Sequence, residues 1–442
     1  MICFYINNFT YIFELVFFFF FSLSKSENIY IYIYKNYKLI FKIIFLVSKK
    51  LEAQFSTDKE CLNLDKVLLI NKVSRLDVER YYHPDLTDKE LEENIKKRGI
   101  DYESLVKRHK INDEFQNKVL SCFNKFGITI RNVNRFNCTH DDIEWCTSVF
   151  PIGGDGTFLY AARQISNTDK PVIGFNSDPS RSEGYLCLPK KYSNNILDAL
   201  KKLINGDFRW MFRTRIRVTL NEQYVSCVPT ELYDVRLQQN KVHDYLGKEK
   251  GVHTFKPKKI KQKVPVLALN EVFMSEIFAA KISHFEMRLN NSNKSVKIKS
   301  SGLCVCTGTG STSWNLSINR LSQDDVRDIL KLYISETKGE IDDNFTDLVS
   351  YISHNFNDKF QFEPEKQILW YTIRDLISLR VWPYPKGIIE PRGYAKTIEL
   401  KSKCLDAAII VDGAIFFPFN EGAISILETH PEDALRTVVL ND

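Results

Sequence analysis

The segment from Phe150 to Thr157, with the sequence FPIGGDGT, constrains this 442-residue chain more than any other stretch. An apolar, strand-like run from Thr147 to Ile152 precedes its three glycines, and the residues from Phe158 to Ile165 place apolar side chains at helical spacing. A strand, a glycine turn and a helix in this order expose backbone N–H groups at a helix N-terminus, where phosphate binds. The segment therefore predicts a phosphate site at the end of a strand.

One carboxylate, that of Asp155, stands inside this turn. Bound phosphates would repel it unless it binds a metal ion or accepts a proton, so the turn favours phosphoryl transfer to a hydroxyl group with Asp155 as the base. The predicted phosphate ligands are its neighbours Gly153, Gly154, Gly156 and Thr157. The alternative is a connecting turn in which Asp155 only caps the helix.

Length and composition set the broad class of the protein. A chain of this length with 44% hydrophobic residues can bury a large core and is expected to hold two domains. The net charge of +6 fits small anionic substrates and does not argue for nucleic acid. The ten cysteines show neither CxxC pairs nor zinc spacing, so we interpret them as reduced thiols and assign no metal ligand.

Residues 1–60 differ in character from the rest of the chain. The apolar runs Leu15–Phe21 and Leu39–Val47 are shorter than the ~20 residues of a membrane helix, and no arginine precedes Arg75. Three interpretations stay open: a targeting leader, a membrane-associating hairpin, or a gene start that is not translated. Membrane contact is expected only if this segment is real and retained.

Residues 61–205 alternate between strand and helix patterns. Lys66–Lys72 and Lys170–Asn176 are typical of buried strands, and a helix is expected to begin at Ser193 as its N-cap. The β-α-β-α-β order predicts a doubly wound parallel sheet with ligands at the carboxyl ends of the strands. Pro151 removes one sheet donor near the end of its strand.

From Phe208 the apolar pattern changes to period two, which predicts a β-rich region over residues 206–415. A helical insertion is expected near residues 321–351. The lysine-rich stretch Lys241–Lys263 is interpreted as a solvated surface loop. The final segment comprises residues 416–442.

Three further segments carry candidate ligands. Asn270 and Glu271 end a short apolar strand that the pattern predicts over Val264–Leu269. An adjacent amide and carboxylate at a strand end suit ribose or amide recognition, although a surface turn explains them equally well. The stretch from Thr307 to Thr312 contains two glycines and four hydroxyls and offers donors to phosphate. Trp314 suits either ring stacking or core packing.

The GGDGT turn, the Asn270-Glu271 pair, the loop from Thr307 to Ser313 and Asp412-Gly413 occur together and in this order. Over about Leu64 to Leu440 the chain resembles the NAD kinase family. The stretches 181–189, 206–210, 303–311 and 432–440 resemble the mitochondrial animal branch of that family. The combination is specific, whereas the GGDGT turn alone is shared with lipid kinases and phosphofructokinases.

The resemblance implies an N-terminal α/β domain, a β-rich second domain and a segment, 416–442, that returns to the first. It implies transfer of a phosphoryl group from ATP to the 2′-hydroxyl of the adenosine ribose of NAD, giving NADP. Mg²⁺ or another divalent cation would accompany ATP. A homodimer is implied, located in the mitochondrion or otherwise in the cytoplasm.

The family's site residues carry over onto matching positions of this chain. Asp155 matches the catalytic aspartate, and the surrounding glycines would cradle phosphates. The residues implied in NAD binding are Asn176, Asn270, Glu271, Thr309, Gly310, Ser311, Thr312, Trp314 and Asp412.

Two other functions remain as alternatives. A lipid or sugar kinase could use the same glycine turn, but Asn270-Glu271 and Thr309-Gly310 argue against it. A catalytically silent nucleotide-binding protein is the second alternative, and the intact Asp155 argues against it.

Overall fold

A computed structural model describes residues 62–222, 230–231, 260–278, 280–337, 344–377 and 390–441. The predictions for residues 1–60 and for most of the stretch Lys241–Lys263 lie outside these ranges. Within them, no helix has both the length and the apolar character that crossing a membrane requires.

A parallel sheet forms the first half of the described chain. Strand β1 (Lys66–Asn71) lies between β2 (Thr129–Asn134) and β3 (Ser148–Ile152). All three strands run parallel. Alternate side chains of β1 are buried on opposite faces of the sheet, so each face needs its own apolar cover.

Helices supply that cover on both faces. The helices are α1 (Arg75–Tyr82), α2 (Asp88–Lys97), α3 (Tyr102–Lys125), α4 (His140–Trp145), α5 (Asp155–Gln164), α6 (Lys190–Asn194) and α7 (Ile196–Ile204). Residues of α3 and α7 pack on one face, and residues of α4 and α5 pack on the other. The predicted doubly wound α/β fold is confirmed.

The segment Lys170–Asn176 was expected to be a regular strand, and this prediction is wrong. It meets β3 only through isolated bridges, although the N–H groups of Val149 and Gly153 both donate to its carbonyls. Pro151 stands between these two donors and has no N–H group. The proline therefore interrupts the hydrogen-bond ladder that a regular strand needs.

The expected helix start at Ser193 is also wrong. Ser193 is buried inside α6, and the next helix begins after Asn195. The Asn195 backbone leaves the helical region, at φ −128° and ψ 72°, and its side chain accepts a hydrogen bond from the N–H of Asp198. Asn195 is therefore the N-cap of α7, the position that the sequence pattern predicted for Ser193.

Two antiparallel sheets form the second half. One has six strands in the order β10-β9-β14-β17-β5-β7, and the other has seven in the order β13-β12-β11-β8-β15-β16-β6. Side chains from both sheets share one apolar core. The strand bounds are β4 Phe208–Arg213, β5 Ile216–Glu222, β6 Thr230–Glu231, β7 Ile260–Lys263, β8 Glu271–Glu276, β9 Ser283–Leu289, β10 Val296–Ser300, β11 Gly302–Cys306, β12 Leu369–Arg374, β13 Arg392–Ala395, β14 Thr397–Ser402, β15 Ala407–Val411, β16 Ile415–Pro418, β17 Ile424–Thr429 and β18 Leu435–Leu440.

Three further helices interrupt the strands of this half. They are α8 (Trp314–Asn319), α9 (Gln323–Thr337) and α10 (Phe345–Asp358). The side chain of Asn357 in α10 accepts a hydrogen bond from the N–H of Leu321 and donates one to the carbonyl of the same residue. This amide fixes α10 to the segment that precedes α9.

The last strand lies against the first half of the chain. Strand β18 pairs antiparallel with β4, and the carbonyl of Arg436 accepts a hydrogen bond from the N–H of Val172 at 2.9 Å. Val438 and Leu440 pack into the apolar cluster between the parallel sheet, α3 and α7. The described residues from Leu62 onward therefore form one compact unit.

Arg215 is fully buried where the two halves meet. Its guanidinium donates to the carbonyls of Ala162, Ile165 and Asn167, at the C-terminal end of α5, and to the carbonyl of Asp433. Burial lowers the pKa of Arg215 to about 10, so the side chain stays charged at neutral pH. A cation is favourable at this end of a helix dipole, and it ties α5 to the β-rich half.

We predict that Arg215→Met lowers the free energy of unfolding by about 3 kcal/mol or more, because four carbonyl groups lose their charged donor. Urea denaturation measures the change. The control is Arg209→Met, in β4, where the side chain is 58% exposed and the expected change is below about 0.5 kcal/mol. Equal losses in the two variants would contradict the role given to Arg215.

Candidate active site

The carboxylate of Asp155 is fixed by backbone groups on the opposite side of the turn. Helix α5 begins at Asp155 with Gly154 as its N-cap. The two Asp155 oxygens accept hydrogen bonds from the N–H of Tyr185 at 3.2 Å and the N–H of Leu186 at 2.9 Å. The alternative that Asp155 caps its own helix is therefore wrong, and each oxygen keeps a lone pair for another donor.

Two glycines of the turn have different physical roles. A Cβ atom on Gly153 would lie 2.3 Å from Oγ1 of Thr157 and 2.9 Å from Cβ of Lys72, so only glycine fits the packing there. A Cβ atom on Gly156 would meet no described atom within 4 Å. Gly156 therefore leaves room for a ligand to approach the backbone.

The turn lies in a cleft of about 450 Å³. Asn71 and Lys72, at the carboxyl end of β1, form one wall, and residues 412–414 of the β-rich half form another. The predicted site residues that line this cleft are Gly154, Asp155, Gly156, Thr157, Asn176 and Asp412. The structure thus brings the glycine turn, Asn176 and the turn at Asp412 together in one cleft.

Three cationic side chains line the same cleft and were absent from the sequence predictions: Lys72, Arg135 and Arg163. Lys72 and Arg135 directly follow β1 and β2, so the rule that ligands bind at the carboxyl ends of parallel strands could have found them. Arg163 lies about two turns along α5 from Asp155, so the two residues share a face of the helix. The sequence pattern alone does not tell whether that face lines a ligand site.

Asn176 organises the loop that holds the Asp155 carboxylate. Its side chain donates to the carbonyl of Ser182 at 2.8 Å and accepts from the N–H of Asp178 at 3.1 Å. Gly184, at φ +64°, packs directly on this amide, where a Cβ atom would lie 2.5 Å from Nδ2. The two bonds set the path of the chain towards Tyr185.

Asp412 holds the backbone that leads into β8. Its buried carboxylate accepts hydrogen bonds from the N–H groups of Leu269, Asn270 and Glu271 at 2.9, 2.8 and 3.2 Å. Burial raises the pKa of Asp412, whereas these three bonds and the Arg163 charge act in the opposite direction. The expected strand Val264–Leu269 does not form: Ala268 makes only an isolated bridge with Ile216, and the next strand, β8, starts at Glu271.

Asn270 and Glu271 are both buried, so the alternative that they form a surface turn is wrong. Oδ1 of Asn270 and Oε2 of Glu271 have no hydrogen-bond partner among the described residues. Burial, and then the charge of Asp412, raise the pKa of Glu271 to about 8. At neutral pH the Glu271 carboxyl is mostly protonated and can donate a hydrogen bond as well as accept one.

The loop from Thr307 to Ser313 packs on this pair. The N–H of Thr307 donates to the Asn270 carbonyl at 3.0 Å, and a Cβ atom on Gly310 would lie 2.0 Å from the same oxygen. The hydroxyl of Ser311 donates to the carbonyl of Gly308 and accepts from the N–H of Phe362, so it serves the loop itself.

Trp314 and Thr312 lie on the outer side of this loop. Thr312 is exposed, and the Trp314 ring is 37% exposed with its centroid 4.6 Å from that of Phe273. Trp314 borders a second cavity of about 440 Å³, which Asn319 and Arg392 also line. One part of the indole is therefore packed against Phe273 and another part is open to a ligand.

Arg213 connects Asp155 to this loop. Its guanidinium donates to Oγ1 of Thr309 at 3.4 Å and interacts electrostatically with Asp155. Burial lowers the pKa of Arg213 to about 10, so it stays charged at neutral pH. A fixed carboxylate, a glycine turn and buried cations are an arrangement suited to phosphoryl transfer.

The described residues contain no group of three or more His, Cys, Asp or Glu side chains placed to hold a metal ion. The cysteines within the same ranges are free thiols.

Comparison with known proteins identifies the family. The chain is 34% identical over 378 residues to NAD kinase 2, mitochondrial, of Homo sapiens, covering 85% of this chain and 84% of that protein. It is 33% identical over 398 residues to the Xenopus tropicalis protein of the same name, covering 85% and 91%. A crystal structure of yeast NADH kinase complexed with NADH aligns at a TM-score of 0.47 and 13% identity, covering 86% of this chain and 84% of that chain. No protein-family model matches the chain.

The chain therefore belongs to the NAD kinase family, in the branch formed by the animal mitochondrial NAD kinases 2.

The raised pKa of Glu271 predicts a pH dependence of stability. Its pKa rises on folding from an ordinary value of 4.5 to about 8, so the stability that its proton supplies is complete below about pH 4.5 and is lost as pH rises through about 8. Glu271→Gln removes this titration. Between about pH 5 and pH 8 the variant should gain about 2–4 kcal/mol relative to the parent protein.

Urea unfolding of the ligand-free protein at several pH values measures this difference. Glu421→Gln, an exposed change in the β-rich half, is the control and should follow the parent protein. A constant difference between Glu271→Gln and the parent across this range would contradict the assignment.

Proposed function

We propose that this chain is an NAD kinase that transfers the terminal phosphoryl group of ATP to the 2′-hydroxyl of the adenosine ribose of NAD, giving NADP. The observation that carries the proposal is the Asp155 carboxylate, fixed by two N–H groups at the mouth of the glycine turn. Asp412 lines the same cleft and holds the backbone of Asn270 and Glu271. Family membership supports the same reaction.

The donor side of the reaction uses the turn. The N–H groups at the start of α5 and the positive end of its dipole hold the terminal phosphate of ATP, with Gly153, Gly154, Gly156 and Thr157 as the cradle. Asp155 accepts the proton of the attacking hydroxyl as that oxygen bonds to phosphorus and the bond to ADP breaks. Its fixed orientation means that no rotation is needed at that step.

The acceptor side uses the buried pair and the loop packed on it. NAD supplies the missing partners for Oδ1 of Asn270 and Oε2 of Glu271, which would otherwise stay unsatisfied in the protein interior. The residues from Thr309 to Thr312 and the open part of the Trp314 ring bound the adenine and ribose. Asn176 and Asp412 contribute mainly by fixing the backbone around them.

The finer features of the protein are also proposals. Mg²⁺ enters with ATP as part of the substrate, because this ion usually binds through phosphate oxygens, water and one or two carboxylates. The protein acts as a homodimer and is located in the mitochondrion, the compartment that the names of its animal relatives include. The α/β part, residues 61–205, binds ATP, the β-rich part, residues 206–415, binds NAD, and residues 416–442 return to the first part.

We predict that Asp155→Asn lowers kcat by about a hundredfold or more while NAD binding changes little, because an amide cannot accept the hydroxyl proton. Formation of NADP from NAD and MgATP measures the first effect, and calorimetric titration with NAD measures the second. Asp178→Asn, which removes another carboxylate from the cleft, is the matched control and should keep most activity. Full turnover by Asp155→Asn would refute the role of the base.

We also predict different effects for alanine at two glycines. Gly156→Ala should leave thermal stability nearly unchanged but raise KM for ATP about tenfold or more, because the new methyl group stands where phosphate approaches. Gly153→Ala should lower the melting temperature, because its Cβ collides with Thr157 and Lys72. An unchanged KM for ATP in Gly156→Ala would place the phosphates elsewhere.

A further inference from the structure

Arg163 lies on the same face of α5 as the catalytic turn. Asp155, Leu159, Tyr160 and Arg163 all line the cleft, as the spacing of three and four residues requires. Arg163 lies eight positions after Asp155 in α5, so the two residues are about 12 Å apart along the helix axis. A ligand that lies along this face from the turn therefore passes in front of Arg163.

The guanidinium of Arg163 has hydrogen-bond donors with no partner. Nε and Nη1 are buried, and neither donates to any described residue. The guanidinium lies 5.7 Å from the centre of the Tyr160 ring, one turn nearer to Asp155. Leaving a charged donor unsatisfied is costly, which favours a ligand in the cleft as the partner of these two nitrogens.

The charges of the cleft indicate what that partner is. Asp155, Asp178 and Asp412 all border the space, and these carboxylates repel a polyanion. Arg163 offsets one of these negative charges, since its positive charge acts on buried Asp412. Guanidinium matches two phosphate oxygens at once, and it is the side chain best suited to hold a phosphate chain beside carboxylates.

We propose that Arg163 binds the α- and β-phosphates of ATP while the γ-phosphate lies at the glycine turn. Side chains on a helix tilt towards its N-terminus, so the guanidinium reaches back along α5 towards the turn. This inference rests on the proposed kinase activity and adds a donor-binding residue to it. The phosphate chain then satisfies the donors that the protein leaves without partners.

The test compares Arg163→Gln with Arg163→Lys in the full chain. Loss of a charged hydrogen bond predicts that Arg163→Gln raises KM for ATP about ten- to hundredfold, with KM for NAD within about twofold of the parent value. Arg163→Lys, which keeps the charge but not the paired geometry, should give an intermediate KM for ATP. The control is Arg75→Gln, at an exposed helix position, with both KM values unchanged.

Inhibition by ADP locates the contact along the phosphate chain. If Arg163 holds the α- and β-phosphates, Arg163→Gln should weaken inhibition by ADP by the same factor as it raises KM for ATP. An unchanged ADP inhibition constant, or an unchanged KM for ATP, would overturn the assignment.

A further outcome would also overturn it. If Arg163→Gln lowers the melting temperature and raises KM for ATP and NAD alike, Arg163 is a structural partner of Asp412. If the kinase proposal itself is wrong, the parent protein forms no NADP from NAD and MgATP. This result is distinct from every outcome that concerns Arg163 alone.

Discussion

The two hydrogen bonds from the backbone of Tyr185 and Leu186 to Asp155 are the contacts on which the site depends. They set the direction of the carboxylate without neutralising it, since each oxygen keeps a lone pair for a substrate hydroxyl. The loop that supplies them is held by the buried amide of Asn176 and turns at Gly184. The side-chain amide of Asn176 therefore helps to set the direction of the Asp155 carboxylate.

Three carboxyl groups near one another serve different purposes because their surroundings differ. Asp155 is partly exposed at the N-terminus of α5, and each of its oxygens keeps a lone pair for a further donor. Asp412 accepts hydrogen bonds from three backbone N–H groups and so fixes the backbone at the start of β8. Burial next to Asp412 raises the pKa of Glu271, which makes Glu271 a donor as well as an acceptor. Residue type alone would not separate these roles.

Local patterns in the sequence were enough for the α/β class, the glycine turn and the β-rich second half, because each depends on periodicity and on residues close in the chain. Features that depend on distant contacts could not be predicted in that way. Pro151 interrupts the hydrogen-bond ladder with a segment about twenty residues later. The Asp412 carboxylate accepts hydrogen bonds from the N–H groups of Leu269, Asn270 and Glu271, more than a hundred residues earlier in the chain. The side of α5 that lines the cleft, and with it Arg163, is apparent only once Lys72 and Asp412 are in place.

The central claim is that the fixed Asp155 carboxylate takes the proton of the ribose 2′-hydroxyl. A crystal structure of the protein with NAD and a non-hydrolysable ATP analogue tests it most directly. The account predicts an Asp155 oxygen about 2.6–3.2 Å from the 2′-oxygen, with the bonds from Tyr185 and Leu186 retained. A 2′-oxygen that instead meets another side chain, with Asp155 turned away from the ribose, would contradict it.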